Sequence, residues 1–600
     1  MANTPTTNTP TTNTPTTNTS FYSFCMAMTV ILILSISHNA IAQQSTTYLD
    51  DASHQFWHDD STLSAITIRF SQAQWDLLLQ SSASVRNEVS ATMQYEHLGI
   101  TYTLDNIGVK LSGNTSFVLP INSNGNLIQA NYTLDFDEFV DDQALQGIAA
   151  LKLKRFKDDS TFVREPLSNR IMQNFGIFTV HSSTHVKVFL QIANQITVYT
   201  GIYRLNESVN RKEYINKRFA SDNDSGFLWQ GNYKAFGPAL FSRITADWDG
   251  VADRDDASFE YKGKGSKFDE AHAQLVRLAT NFTQLEGTEF HDYVARHINM
   301  ELFLKSMAAE AVLGHWDGFW GNANNYLFYI DEQEVLHYIP YDTDNTLGTS
   351  LLMDDSGEQP TINFGQSNNT PMLVTKILQI DEYRQQFLRH TYELVTQSGL
   401  MVEADALTYI NTVHLLIDSD LNNVTNQNNQ IADKPAGWAN QGDYRLYDFS
   451  TGRNWYRTRK NAVERFLPPP NASAGEDISV TQGETIGLNA SASSSDFGDI
   501  VSYNWSTGAT GVTPQVSFAD VGFFVVTLTV VDSLGLSSND TVNITVNAAP
   551  AVVNPTPTPT PSPIPTPEPS ASSGSSLPLI PMGLLGLCVF IRRFSACKQC

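Results

Sequence analysis

Asp317, Asn322, Asn324 and Asn325 lie in one short polar stretch, and Asp342 and Asp344 follow after two apolar runs. Those residue types suit phosphoryl transfer. One aspartate can take the proton of an attacking hydroxyl, while an asparagine and a further aspartate hold the Mg²⁺ that neutralises the phosphates. Asp and Asn are also ordinary turn residues, so spacing alone leaves a plain loop as the alternative. The intervening runs predict how the two halves would meet. Residues 326–330 and 335–339 are rich in aromatic and β-branched side chains and flank polar residues 331–334, which predicts a hairpin. Such a hairpin would bring Asp317, Asn322 and Asp342 together.

The order Asp317, Asn324-Asn325-Tyr326-Leu-Phe-Tyr329 and Ile339-Pro-Tyr-Asp342-Thr-Asp344 resembles the CotH family, the spore-coat-H-type atypical protein kinases. Other segments between residues 62 and 467 are similar to that family in the same order. They include Ile66–Phe70 with Gln74 and Trp75, Gly108-Val-Lys-Leu-Ser-Gly113-Asn114, Asp159 through Arg164-Glu165, Thr200-Gly-Ile-Tyr203 through Glu207, and Pro371 onward with Tyr383 and Arg384. The resemblance implies an α+β fold of two lobes, with ATP and Mg²⁺ (or Mn²⁺) as cofactors. It makes Asp317 the catalytic base and Asn322, Asn325, Asp342 and Asp344 the metal ligands. Lys152, Lys154, Arg164 and Glu207 would surround the nucleotide.

Several positions depart from the family pattern. Tyr341 stands where a Trp is usual, Ser112 where Arg is common, and Gln230 where many members have Lys, and the strand 129–136 lacks the usual lysines. Each lost cation is one fewer partner for a triphosphate. Lys152 and Lys154 could also line a solvated strand face, and Arg164 and Glu165 could pair on a helix running through Asn174.

Six hundred residues leave room for several domains. A net charge of −25, from 37 basic and 62 acidic residues, argues against nucleic acid as a partner, because such binding needs a basic patch. The four cysteines, Cys25, Cys588, Cys597 and Cys600, all lie near the ends, which excludes a disulfide framework, a thiolate zinc site and a cysteine nucleophile from the body. Residues 1–42 read as a low-complexity leader followed by a secretory signal, with Ala40-Ile-Ala42 as its cleavage pattern. His54 and His58 sit at helical spacing, where an amphipathic segment is the simpler reading than a metal pair.

Strands before residue 240 and helices after residue 290 predict the α+β class for residues 62–467. The acidic run from Asp247 to Asp256 reads as a plain turn, since it lacks the glutamate that a calcium loop needs. Beyond Pro468-Pro-Pro470, short alternating strands around Trp505 predict an all-β, Ig-like sandwich without a disulfide. Residues 470–547 are similar to the PKD domain, with Trp505 in the core. Residues 548–570 form a Pro/Thr linker. Residues 571–600 resemble the GlyGly-type C-terminal sorting signals of Gram-negative bacteria, which implies export to the cell surface or exterior and transient membrane association through the tail. The expected function is a surface-displayed kinase acting on protein hydroxyls. The competing readings are a non-catalytic adhesion protein on a degenerate kinase fold and a polysaccharide-processing enzyme with paired carboxylates.

Overall fold

The computed structural model describes residues 52–219, 225–351, 357–365, 369–396, 399–439 and 443–550. The expected leader at 1–42, nearly all of the linker at 548–570 and the tail at 571–600 lie outside the described residues.

Alternating apolar residues build a closed seven-stranded barrel from β1 (Ser64–Phe70), β2 (Val89–His97), β3 (Ile100–Leu111), β4 (Tyr132–Asp135), β5 (Ala150–Lys154), β6 (Ser183–Ile192) and β7 (Val198–Glu207). The neighbour order is β1-β2-β3-β4-β5-β7-β6. Ile66, Ile68 and Phe70 of β1 point inward with Met93 and Tyr95 of β2, as a period of two requires. A parallel pairing of β1 with β6, Ser64 opposite Val186, closes the ring. Closure leaves no sheet edge to attract another chain. Helix α1 (Ala52–His58) joins this core through Trp57, which is 1% exposed and donates from Nε1 to the Leu145 carbonyl at 3.1 Å. His54 and His58 do share this helix, their ring centroids 5.3 Å apart.

After α2 (Arg164–Asn174) and the barrel, a second sheet forms from β8 (Phe227–Gly231), β9 (Val251–Ala252), β10 (Phe259–Tyr261), β11 (Tyr326–Ile330) and β12 (Leu336–Pro340), in the order β12-β11-β8-β10-β9. The acidic run at Asp247 is an exposed turn leading into and out of β9. Helix α3 (Met300–Leu313) is apolar on almost every face, the pattern of a helix buried all round. Its Phe303, Leu304 and Met307 pack with Phe328 and Tyr338 of the second sheet. Its Leu302, Ala309 and Val312 pack with Phe162, Leu167 and Ile171 around α2. Two further helices, Asp381–Thr396 and Trp455–Phe466, extend the helical layer. The class is α+β as expected, with α3 shared between the core of the second sheet and the core around α2.

The C-terminal segment is the expected sandwich. Its strands are β13 (Ile478–Thr481), β14 (Thr485–Gly487), β15 (Ile500–Trp505), β16 (Gln515–Ser517), β17 (Gly522–Asp532) and β18 (Ser537–Asn547). One sheet runs β13-β18-β17-β15, and β14 pairs with β16. Trp505 is 4% exposed among Leu528, Val530 and Val542, with its indole N–H donating to Gly511 O at 3.1 Å. We predict that Trp505→Ala destabilises this sandwich by about 3–5 kcal/mol and leaves the barrel's transition unchanged, read by chemical denaturation with separate probes for the two regions.

Candidate functional site

The hairpin positions the two polar segments as the sequence predicts. β11 and β12 pair antiparallel, with Tyr326 opposite Pro340, so Asn325 and Tyr341 leave the same end of the ladder. Upstream, α3 stops at Gly314, whose φ of +70° is the left-handed conformation that glycine adopts without strain. The chain then folds over a single turn, α4 (Phe319–Asn322). It packs so tightly that a Cβ on Gly321 would lie 2.0 Å from the Trp316 carbonyl oxygen.

Three amides converge on Asp317. Asn322 and Asn324 donate to Oδ1 at 2.8 and 3.0 Å, and Asn325 donates to Oδ2 at 2.9 Å. Burial pushes this carboxyl above its ordinary value and the charge of Asp342 adds to that, while the amides oppose it. A half-buried carboxylate with a raised proton affinity is suited to accept a proton. Ala323, Asn325 and Asp342 hold φ of +47°, +47° and +57°. Each costs about 1–3 kcal/mol and persists only where the surroundings fix it.

Asp342 and Asp344 face cations from the barrel. Lys154 of β5 pairs with Asp342. Arg204, opposite Lys154 on β7, reaches Glu165 at 2.5 Å and Asp344 at 3.1 Å. Glu165 is completed by His181 at 3.1 Å and by Asn206, which donates at 3.0 Å. Burial alone would depress the Lys154 ammonium, yet Asp342 and Glu165 hold it above the usual lysine value. Burial pushes the Asp344 carboxyl up to about 7, and the neighbouring Asp342 adds to the rise against Arg204. Lys152 donates to the Tyr341 hydroxyl at 2.9 Å.

This donor set fits a hard divalent cation. Asp342, Asp344 and an asparagine amide offer the oxygen ligands that Mg²⁺ favours, with Lys154 and Arg204 now paired to the two carboxylates. Asn325 offers the freer amide oxygen, because the Asn322 oxygen already accepts from Asn369 at 2.9 Å. Among the described residues, one group of three carboxylates lies within 4.8 Å, namely Glu88, Asp135 and Glu138, far from this constellation in sequence. Lys110 and Arg211 already pair with it.

Two expected nucleotide residues have other partners. Arg164 is fully buried, with Nη1 on Asp159 at 2.9 Å and Nη2 donating to Lys434 O at 3.1 Å. Glu207 is gripped by Arg218 at 2.9 and 2.7 Å and accepts from Ser182 N. Both side chains are tied into the scaffold by these partners. Conversely, sequence reasoning passed over Arg204 and Glu310, and it read Glu165 only as a possible helix partner of Arg164. A charged residue inside β7, which is buried from Thr200 to Glu207, was the signal available for Arg204.

Glu310 braces the Asp317 loop from behind. It is fully buried in α3, accepts from the Tyr338 hydroxyl and from Trp320 N at 3.2 Å, and burial pushes its carboxyl up to about 7. The folded state therefore keeps this proton where the unfolded chain, titrating near 4.5, has lost it. The stability contributed is full below pH 4.5 and falls as pH rises to 7, by about 3 kcal/mol. We predict that Glu310→Gln flattens this part of the stability profile, measured by denaturant unfolding between pH 5 and pH 7.

The family described as CotH kinase protein matches residues 121–458, more than half of the 600-residue chain, and the PKD domain family matches residues 467–546. The chain belongs to the CotH kinase protein family. The barrel strands β1 to β3 precede the matched range, so the folded body begins upstream of it. "Spore coat protein homolog 1" of Rhizopus delemar is 22% identical over 55% of this chain and 54% of its own length. "Invasin CotH7" of the same organism is 23% identical over 45% and 43%. The chain thus spans about half the length of these curated relatives. A solved PKD domain from KIAA 1837 protein is 34% identical over 14% of this chain and 91% of its own, with a TM-score of 0.12; the sandwich is read from its own strands.

Proposed function

We propose that this chain is a surface or secreted CotH-type kinase that moves the γ-phosphoryl group of ATP to a protein hydroxyl. The observation that carries the reading is the meeting of amide-held Asp317 with Asp342, Asp344 and Lys154 at one end of the hairpin. Asp342, Asp344 and Asn325 or Asn322 would hold Mg²⁺ or Mn²⁺, which when bound neutralises phosphate charge. Lys154 and Lys152 supply cations for the phosphate oxygens. Asp317 orients the acceptor hydroxyl and takes its proton as that oxygen bonds to the γ-phosphorus and the bond to the β-phosphate oxygen breaks, releasing ADP. The amides keep the carboxylate aimed while it does so.

A surface location is supported by relatives named for a spore coat and for invasins, and by the PKD domain. No helix among the described residues is long and apolar enough to cross a membrane. A second reading, adhesion without catalysis, draws support from the absent cations at Ser112 and Gln230 and from the invasin relatives.

We predict that Asp317→Asn lowers phosphate transfer from γ-labelled ATP by about 10²–10⁴-fold while Mg²⁺–ATP affinity stays near that of the parent. Full transfer by a well-folded variant removes Asp317 from catalysis. We predict separately that Asp342→Ala abolishes metal-dependent nucleotide binding in calorimetric titration without unfolding the chain. Unchanged affinity would refute the metal assignment, and absence of nucleotide binding by the parent would favour adhesion.

A further inference from the structure

The cations of the site differ in what neutralises them. Lys154 has Asp342, and Arg204 has Glu165 and Asp344. Lys152 forms no ion pair among the described residues, and its hydrogen-bond partner is the neutral hydroxyl of Tyr341 at 2.9 Å. Both ammoniums lie near Tyr341, Lys152 at 5.2 Å on the hydroxyl side and Lys154 at 5.3 Å from the ring centroid. His181 lies 5.4 Å from the same ring. The two lysines are two residues apart on β5, hence on one face of the strand. Tyr341 itself is 7% exposed, anchored among Leu327, Tyr329 and Ile339.

Free lysine stems sample many rotamers, and a ligand that fixes them must offset that entropy. A phenol hydroxyl or ring holds a cation without cancelling its charge, unlike a carboxylate. On the phosphotransfer reading above, we propose that Tyr341 is a positioning residue: it holds Lys152 and Lys154 side by side beside Asp342, so that Lys152 offers an uncompensated positive charge to the oxygens of a polyphosphate. The residue that differs from the family's usual Trp thus sets the phosphate half of the site, where other cations are missing.

The test titrates the full chain with inorganic triphosphate, Mg²⁺–ATP and adenosine, following binding by calorimetry and folding by thermal melting. Because Tyr341 is buried, Tyr341→Leu is accompanied by Tyr341→Phe, which keeps the ring, and by Lys152→Met, which leaves Tyr341 in place. The expected result is graded: triphosphate binding weakens about threefold in Tyr341→Phe and about tenfold in Lys152→Met and Tyr341→Leu. Adenosine binding stays the same in all three. Triphosphate affinity within twofold of the parent in both Tyr341→Phe and Lys152→Met overturns the positioning role and leaves the phosphotransfer reading standing. A parent chain that binds neither triphosphate nor Mg²⁺–ATP overturns both.

Discussion

Two cations fixed in the wall of a barrel meet two aspartates carried by a turn on another sheet, and the site depends on that meeting. Lys154 and Arg204 sit opposite each other on β5 and β7, so the barrel sets their spacing before any ligand arrives. Asp342 and Asp344 must come to them, in a turn where Asp342 adopts a left-handed backbone. Taking such charges out of water costs several kcal/mol per ion unless each finds a good partner. Glu165 makes the arrangement affordable by giving Arg204 a second carboxylate deeper in the core. The network is therefore a constraint on geometry more than a source of stability.

The consecutive residues Arg164 and Glu165 show how finely that constraint divides neighbours. About 100° separates adjacent side chains on a helix. On α2 that rotation sends Arg164 to Asp159 and the 434 carbonyl, and Glu165 to Arg204 and His181. One strengthens the scaffold and the other reaches the functional cluster.

The hairpin and its cargo were legible in the sequence because they are local: turn residues at 331–334, alternating aromatics on either side, and polar runs just beyond. The sandwich was legible for the same reason, with Trp505 filling the centre its strands enclose. What could not be read were pairings that depend on distant partners. Nothing near Arg204 announces Glu165 or Asp344, and nothing near β1 announces its parallel pairing with β6. The pairing of Arg164 with Asp159 and of Glu207 with Arg218 is likewise geometry that a motif does not encode. Tyr341 was visible as a departure from the family pattern, but its contact with two lysines needed the fold.

The parallel closure of β1 on β6 also orders events in time. As the chain emerges during synthesis, β1 is among the first strands out, yet its partner on that side arrives only after β2 to β5 and α2 have appeared. Distant pairing of this kind is slow to form because the loop entropy must be met first. Lys154 and Arg204 become neighbours only when β7 follows, and Asp342 and Asp344 emerge later still. For that interval the nascent barrel carries basic side chains ahead of two of their counter-charges, with Glu165 alone at hand.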